Sequence, residues 1–206
     1  LLIRCLEGTC SAQTAVAQES EEVLGSMLEG DEFIQQIKSI SPDLPYQLKA
    51  LKNFLDCRLE EKDDPELAEI IQESYQNFNL LGEEISEVGI NTYLEKYQHY
   101  FHPQEGKIAH ILENYLVNYV LGKNFFSYHL TEAYYLMIFF YKIIRFLALD
   151  LCVRQDTLLN EEILLHSIHL MERGIGHNRG YYSSILKQLT KHGYTSIPHA
   201  IYLLKI

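Results

Sequence analysis

The chain has 206 residues, 47% of them hydrophobic and 22% charged, with a net charge of −11. A chain of this length buries enough surface to fold without a disulfide or metal staple. Its acidic balance argues against a nucleic-acid binder, which needs a basic face, and against docking on anionic lipid.

The predicted elements are helices throughout. β-branched alternation is absent, and no Asn-Gly or Asp-Gly pair marks a hairpin. The pattern predicts a first helix over Ser11–Leu28, a break at Gly30-Asp31, and a short helix capped by Asp31 and running to about Ser39. Ser41-Pro42 reads as an N-cap followed by proline at the first helical position. The helix after it carries Leu48, Leu51, Phe54, Leu55 and Leu59, whose spacing of three and four makes one apolar stripe. Asp64-Pro65 repeats the start signal, Ile70, Ile71, Tyr75 and Phe78 follow, and Gly82 is expected to close that helix.

Glu87–Phe101 is mixed and tyrosine-rich, and His102-Pro103 is expected to break it and start the next helix. Ile108, Ile111, Leu112, Tyr115, Leu116, Tyr119 and Val120 then form the cleanest amphipathic stripe in the chain, which Gly122 ends. Leu130–Cys152 is apolar almost all round, as a central helix would be. Ala133–Cys152 has the length of a membrane span, but Lys142, Arg145 and Asp150 interrupt it at a high cost in lipid, so it reads as a buried core helix. Asn160–Arg173 forms another helix, ended by Gly174 and Gly176 in the left-handed conformation that glycine allows. Asn178 caps the next helix to about His192, Gly193 stops it, and Pro198 opens a short last one. No repeat or low-complexity linker is evident. The expectation is an all-α, single multi-helix, bundle-like domain over residues 1–206 with a central apolar helix.

The four cysteines stand at 5, 10, 57 and 152. Cys57 and Cys152 fall inside helical patterns, where reduced buried thiols fit a reducing cytoplasm better than a disulfide scaffold. The chain begins Leu1-Leu2-Ile3-Arg4, which reads as a fragment or a processed product, and it shows no signal peptide.

Candidate chemistry is sparse. Gly174-Ile175-Gly176-His177-Asn178-Arg179-Gly180 is one residue too long for a dinucleotide loop and follows a helix where that loop follows a strand, so it reads as a helix-to-helix corner. His166 and His169, and likewise His99 and His102, share a helix face at i, i+3 but lack further ligands, so no metal site is assigned. Cys5 and Cys10 alone are too few for an iron–sulfur cluster, which needs about four thiolates. Glu113 and Glu132 are candidate general bases, although a glutamate on a helix is more often solvated or ion-paired. The tyrosines over Tyr93–Tyr141 read first as core filling and second as a pocket lining.

The run Glu113-Asn114-Tyr115-Leu116-Val117-Asn118-Tyr119 carries a likeness. With the break at Gly122–Ser127, the apolar helix Glu132–Leu151, and the corner Ile175-Gly176-His177-Asn178 before Tyr181 and Tyr182, it resembles the C-terminal half of flagellin lysine-N-methylase in order and spacing. The likeness covers roughly the last 100 residues. It implies methyl transfer from S-adenosylmethionine to lysine side chains of flagellin, with an iron–sulfur cluster in the full-length protein. The family's motif of closely spaced and adjacent cysteines belongs to the N-terminal part, and Cys5 and Cys10 do not reproduce it. The resemblance thus implies a cytoplasmic C-terminal portion, inactive alone and without a cofactor of its own, that recognises substrate or supports the N-terminal catalytic region of the same protein. Its implied partner is flagellin. No catalytic residue, substrate-binding residue or metal ligand carries over. Glu113, Tyr115 and Tyr119 are expected to share a helix face and to orient a lysine amine, which must be neutral to attack a methyl donor. The alternative is a non-enzymatic helical adaptor that binds a partner helix in a groove.

Overall fold

The computed structural model describes residues 39, 41–61, 64–122, 130–176, 179–191 and 203. The helices expected over Ser11–Leu28, from Asp31 and from Pro198, together with Cys5, Cys10, His177, Asn178 and Gly193, lie outside these residues. The described residues are all-α, with no strand. In chain order they form α1 (Leu44–Glu61), α2 (Pro65–Asn77), α3 (Glu87–Lys96), α4 (His102–Gly122), α5 (Leu130–Gln155), α6 (Glu161–Met171) and α7 (Arg179–Lys191). A π-helical turn, Tyr97–Phe101, joins α3 to α4, and a second, Glu172–Gly176, extends α6.

Local capping sets the helix starts. Asp64 accepts a hydrogen bond from Leu67 N at 3.0 Å, with Pro65 at the start of α2. Asn160 accepts from Ile163 N at 3.0 Å to start α6, and Ser86 accepts from Gly89 N at 3.1 Å to start α3. The start of α1 departs from expectation. Asp43, not Ser41, is the cap, accepting from Tyr46 N at 3.0 Å. Pro45 then falls in the first turn, where its missing N–H leaves no gap.

The end of α2 departs too. Gly82 does not close it. The helix ends at Asn77 and Asn79 takes the left-handed conformation, with φ 55°. Leu80 N donates to Tyr75 O at 2.7 Å and Asn79 N to Gln76 O at 3.2 Å, which satisfies the carbonyls of the last turn. Asp156, φ 47°, closes α5 in the same way, with Thr157 N donating to Cys152 O at 3.1 Å. His102-Pro103 makes no break. Pro103 cannot donate to the preceding turn, so the ladder widens there and His102 N donates to Tyr97 O. The chain stays helical from Glu87 to Gly122.

The apolar stripes meet in one buried cluster. Leu48, Leu51, Phe54 and Leu55 of α1 are buried, and Leu59 is partly so. From α4, Ile108, Leu112 and Tyr119 are buried, while Ile111, Tyr115 and Val120 pack half-buried against the cluster. Helix α5 is buried around most of its circumference, including Tyr135, Leu136, Phe139, Phe140, Ile143 and Phe146. It packs against α1, α2, α4, α6, α7 and the first π turn. No helix among the described residues is long and apolar enough to cross a membrane.

The charges that interrupt α5 are buried and tied to other helices. Lys142 Nζ donates to Gln47 Oε1 of α1 at 2.9 Å. Arg145 pairs with Glu105 of α4. Asp150 accepts from Asn77 Nδ2 of α2 at 2.8 Å, and Arg154 Nη2 lies 2.8 Å from its other oxygen, close enough for an ion pair but poorly angled for a hydrogen bond. Burial raises the Asp150 carboxyl in spite of Asn77 and Arg154. Burial, then the charge of Arg145, holds the Lys142 amine well below the usual lysine range.

Gly89 sits where α3 meets the end of α2. A Cβ there would lie 2.8 Å from Asn79 O and 3.1 Å from Leu80 Cδ2. Gly89→Ala is therefore expected to destabilise the chain by about 1–3 kcal/mol, because the clash is with backbone. Urea unfolding measures this, and an unchanged midpoint would show that the turn yields.

Candidate functional site

Helices α4 and α5 do not close on each other along their whole contact. Small Ala109, with Leu112 and Leu116 of α4, faces Met137 and Ile138 of α5 across a groove of about 290 Å³. The polar groups at this groove are Glu105 and Glu113 from α4 and Tyr134 and Tyr141 from α5. The α4 residues recur at i, i+4, i+7, i+8 and i+11, so they belong to one face of the helix. Burial pushes the Tyr134 phenol up to about 12, so it stays protonated at neutral pH.

Glu105 is the bound carboxylate of the pair. It meets the Arg145 guanidinium directly, and Tyr97 Oη donates to its Oε2 at 2.6 Å. Arg145 Nη1 also donates to Tyr141 Oη at 2.7 Å and Nη2 to Tyr97 Oη at 3.2 Å. The guanidinium lies 4.8 Å from the Phe101 ring centre, 5.2 Å from that of Tyr141 and 5.8 Å from that of Tyr97, so three rings enclose it. Burial pushes the Glu105 carboxyl up, but the charge and hydrogen bonds of Arg145 and the Tyr97 hydroxyl outweigh it and hold the carboxyl below its ordinary range. Burial and the Glu105 hydrogen bond raise the Tyr97 phenol. Glu113 is the open carboxylate. It is exposed, and no described side chain pairs with it. No lysine or arginine among the described residues lines the groove.

The structure separates residues that the sequence reading placed together. Glu113 and Tyr115 do not share a face, because two residues advance by about 200° around an α-helix. Glu113 lies at the α5 groove, whereas Tyr115 Oη donates to Glu172 Oε1 at 2.7 Å beyond the end of α6. Tyr119 is buried with its ring edge-on to Phe140 at 5.4 Å. Glu132 lies in the first turn of α5, where a carboxylate complements the helix dipole, and does not line the groove. Glu105 and Arg145 carry the polar end of the site, and the sequence reading missed both roles. Arg145 was signalled only as a charge inside an apolar helix, and Glu105, in the polar run Pro103–Lys107, carried no signal.

The remaining candidates are structural or dispersed. His166, His169, His99 and His102 are exposed, and no group of three histidines, cysteines or acids stands together among the described residues. Cys57 and Cys152 are free and buried, and burial pushes the Cys152 thiol up to about 12, the opposite of what a thiolate ligand needs. The described residues do not fit an iron–sulfur cluster. The glycine corner is a packing device. Gly174 has no positive φ, and it is small because a Cβ would come 2.4 Å from Leu67 Cδ2 of α2. Its carbonyl accepts from the buried Arg58 Nε at 2.8 Å, and Gly176 O accepts from Tyr182 Oη at 2.6 Å. These bonds occupy the second π turn with internal partners.

A family model described as the FliB lysine N-methylase C-terminal domain matches residues 4–203. No curated protein and no solved structure matches the chain.

The Arg145–Glu105 pair makes a prediction with a defined sign. Glu105→Ala leaves a buried guanidinium without its counter-charge and is expected to cost about 3 kcal/mol in urea unfolding at neutral pH. Because the folded-state pKa of Glu105 is lowered, its contribution is fully present above the usual carboxylate range and is lost as pH falls through the lowered value. The variant is expected to lose less stability than the parent chain on acidification. Equal slopes on the acid side would remove Glu105 from that account.

Proposed function

The chain belongs to the FliB lysine N-methylase C-terminal domain family, and on that premise we propose that it is the helical C-terminal domain of an enzyme that methylates lysine side chains of flagellin. The observation that carries this reading is the match over residues 4–203, nearly the whole chain. Under this reading the chain acts as one helical unit in the cytoplasm, a compartment that suits the free buried thiols of Cys57 and Cys152. Its task is substrate recognition beside an N-terminal catalytic region.

S-adenosylmethionine, when bound to the whole enzyme, supplies an electrophilic methyl group. The groove between α4 and α5 does not suit that donor. It offers two glutamates and no cation for an amino-acid carboxylate, and its volume is at the small end for a nucleoside-sized ligand. This reading puts the donor outside that groove and the iron–sulfur cluster away from Cys57 and Cys152, whose buried thiols do not suit it. The described residues serve the other reactant. An acidic surface, with a net charge of −11 over the chain, attracts a protein segment that presents lysines.

A calorimetric titration of the chain with purified flagellin, with no methyl donor present, tests the reading. Binding in the micromolar range is the expected result. Absence of binding heat at several temperatures would reject a recognition role for this domain.

A further inference from the structure

We infer that the groove between α4 and α5 is a docking subsite for a protonated lysyl side chain of the protein substrate. The inference deepens the recognition role proposed above and rests on it for the identity of the substrate. It stands on the shape of the groove and on the unequal state of its two carboxylates.

The walls are apolar and come from Ala109, Leu112 and Leu116 on one side and Met137 and Ile138 on the other. A lysine covers such a surface with its four methylenes while keeping its charged head at the water boundary. The head then needs an anion at the rim. Glu105 cannot serve, because Arg145 already neutralises it and Tyr97 hydrogen-bonds its second oxygen. Glu113 can, because it is exposed at the same groove and no described side chain pairs with it. An anionic occupant would meet an uncompensated carboxylate, and an uncharged one would gain nothing from it.

The same charge says what the subsite does. A carboxylate beside an amine favours its protonated form, and a protonated amine has no lone pair with which to attack a methyl group. The subsite therefore positions the substrate by a lysine that is not the one reacting at that moment. Methyl transfer takes place at a different position on the bound protein.

The test uses the full 206-residue chain with methyl-13C methionine. Of the three methionines in the chain, Met137 lines the groove and the described Met171 does not, and Met137→Leu identifies its signal. The probes are n-pentylammonium, which reproduces a lysine side chain, and 1-pentanol, which keeps the chain and lacks the charge. The Met137 methyl signal is expected to shift and saturate with the amine, at a concentration about three- to fivefold lower than with the alcohol, as one solvent-exposed ion pair provides. Glu113→Gln, an exposed change that leaves the core intact, is expected to bring the amine down to the alcohol's affinity. No shift, equal affinities, or an amine affinity unchanged by Glu113→Gln would overturn the subsite.

Flagellin binding separates this inference from the reading beneath it. If flagellin binds and Glu113→Gln and Ala109→Trp both leave that binding unchanged, the subsite is wrong and the recognition role stands. If flagellin fails to bind while the amine shows the expected selectivity, the lysyl subsite stands and the recognition of flagellin falls.

Discussion

The three buried polar groups Lys142, Arg145 and Asp150 set how α5 sits against α1, α2 and α4. A helix that is apolar on all sides has no preferred rotation in an apolar socket, because many rotations bury similar area. Lys142, Arg145 and Asp150 remove that freedom. Each reaches a different element, Gln47 on α1, Glu105 on α4 and Asn77 on α2. Turning α5 by one residue, about 100°, would strand all three in apolar surroundings. The cost of an unpaired buried charge is several kcal/mol, more than a repacked hydrophobic contact loses. The polar anchors thus select one arrangement from many that the hydrophobic effect alone would tolerate.

The groove follows from that arrangement. Arg145 holds Glu105 at one end of the α4 face and Tyr119 packs on Phe140 elsewhere along it, while small Ala109 leaves the space between incompletely filled. The π turn before α4 contributes as well. It carries Tyr97 into the same cluster, so that one guanidinium is met by a carboxylate from α4, a hydroxyl from the turn and a hydroxyl from its own helix. Neutralising Glu105 in this way leaves Glu113 as the one open charge at the groove among the described residues. The electrostatics of the surface site are therefore set by an ion pair beneath it.

The described part of the glycine corner, Gly174 to Gly176, serves packing. The spacing of Gly174 and Gly176 evokes anion binding, yet their carbonyls accept bonds from Arg58 and Tyr182, and the small size of Gly174 lets α2 approach. The family relationship rests on the chain as a whole, which the family model matches from residue 4 to residue 203. It does not rest on any one such motif.

Apolar stripes in α1, α4 and α5, the cap at Asp64, the absence of strands among the described residues, and the family itself were legible in the amino-acid sequence. Periodicity and capping involve partners within about one or two helical turns, so residue order alone determines them. Where two local signals competed, order was insufficient. Asp43 took the cap from Ser41, Asn79 took the left-handed turn from Gly82, and Pro103 widened a helix it was expected to break. The separation of Glu113 from Tyr115, the pairing of Arg145 with Glu105 and the opening between α4 and α5 were decided only in the tertiary structure. Arg145 and Glu105 lie 40 residues apart, and at that distance no propensity links two side chains. Burial brings them together, because a charge taken out of water must find its partner wherever the packing places one.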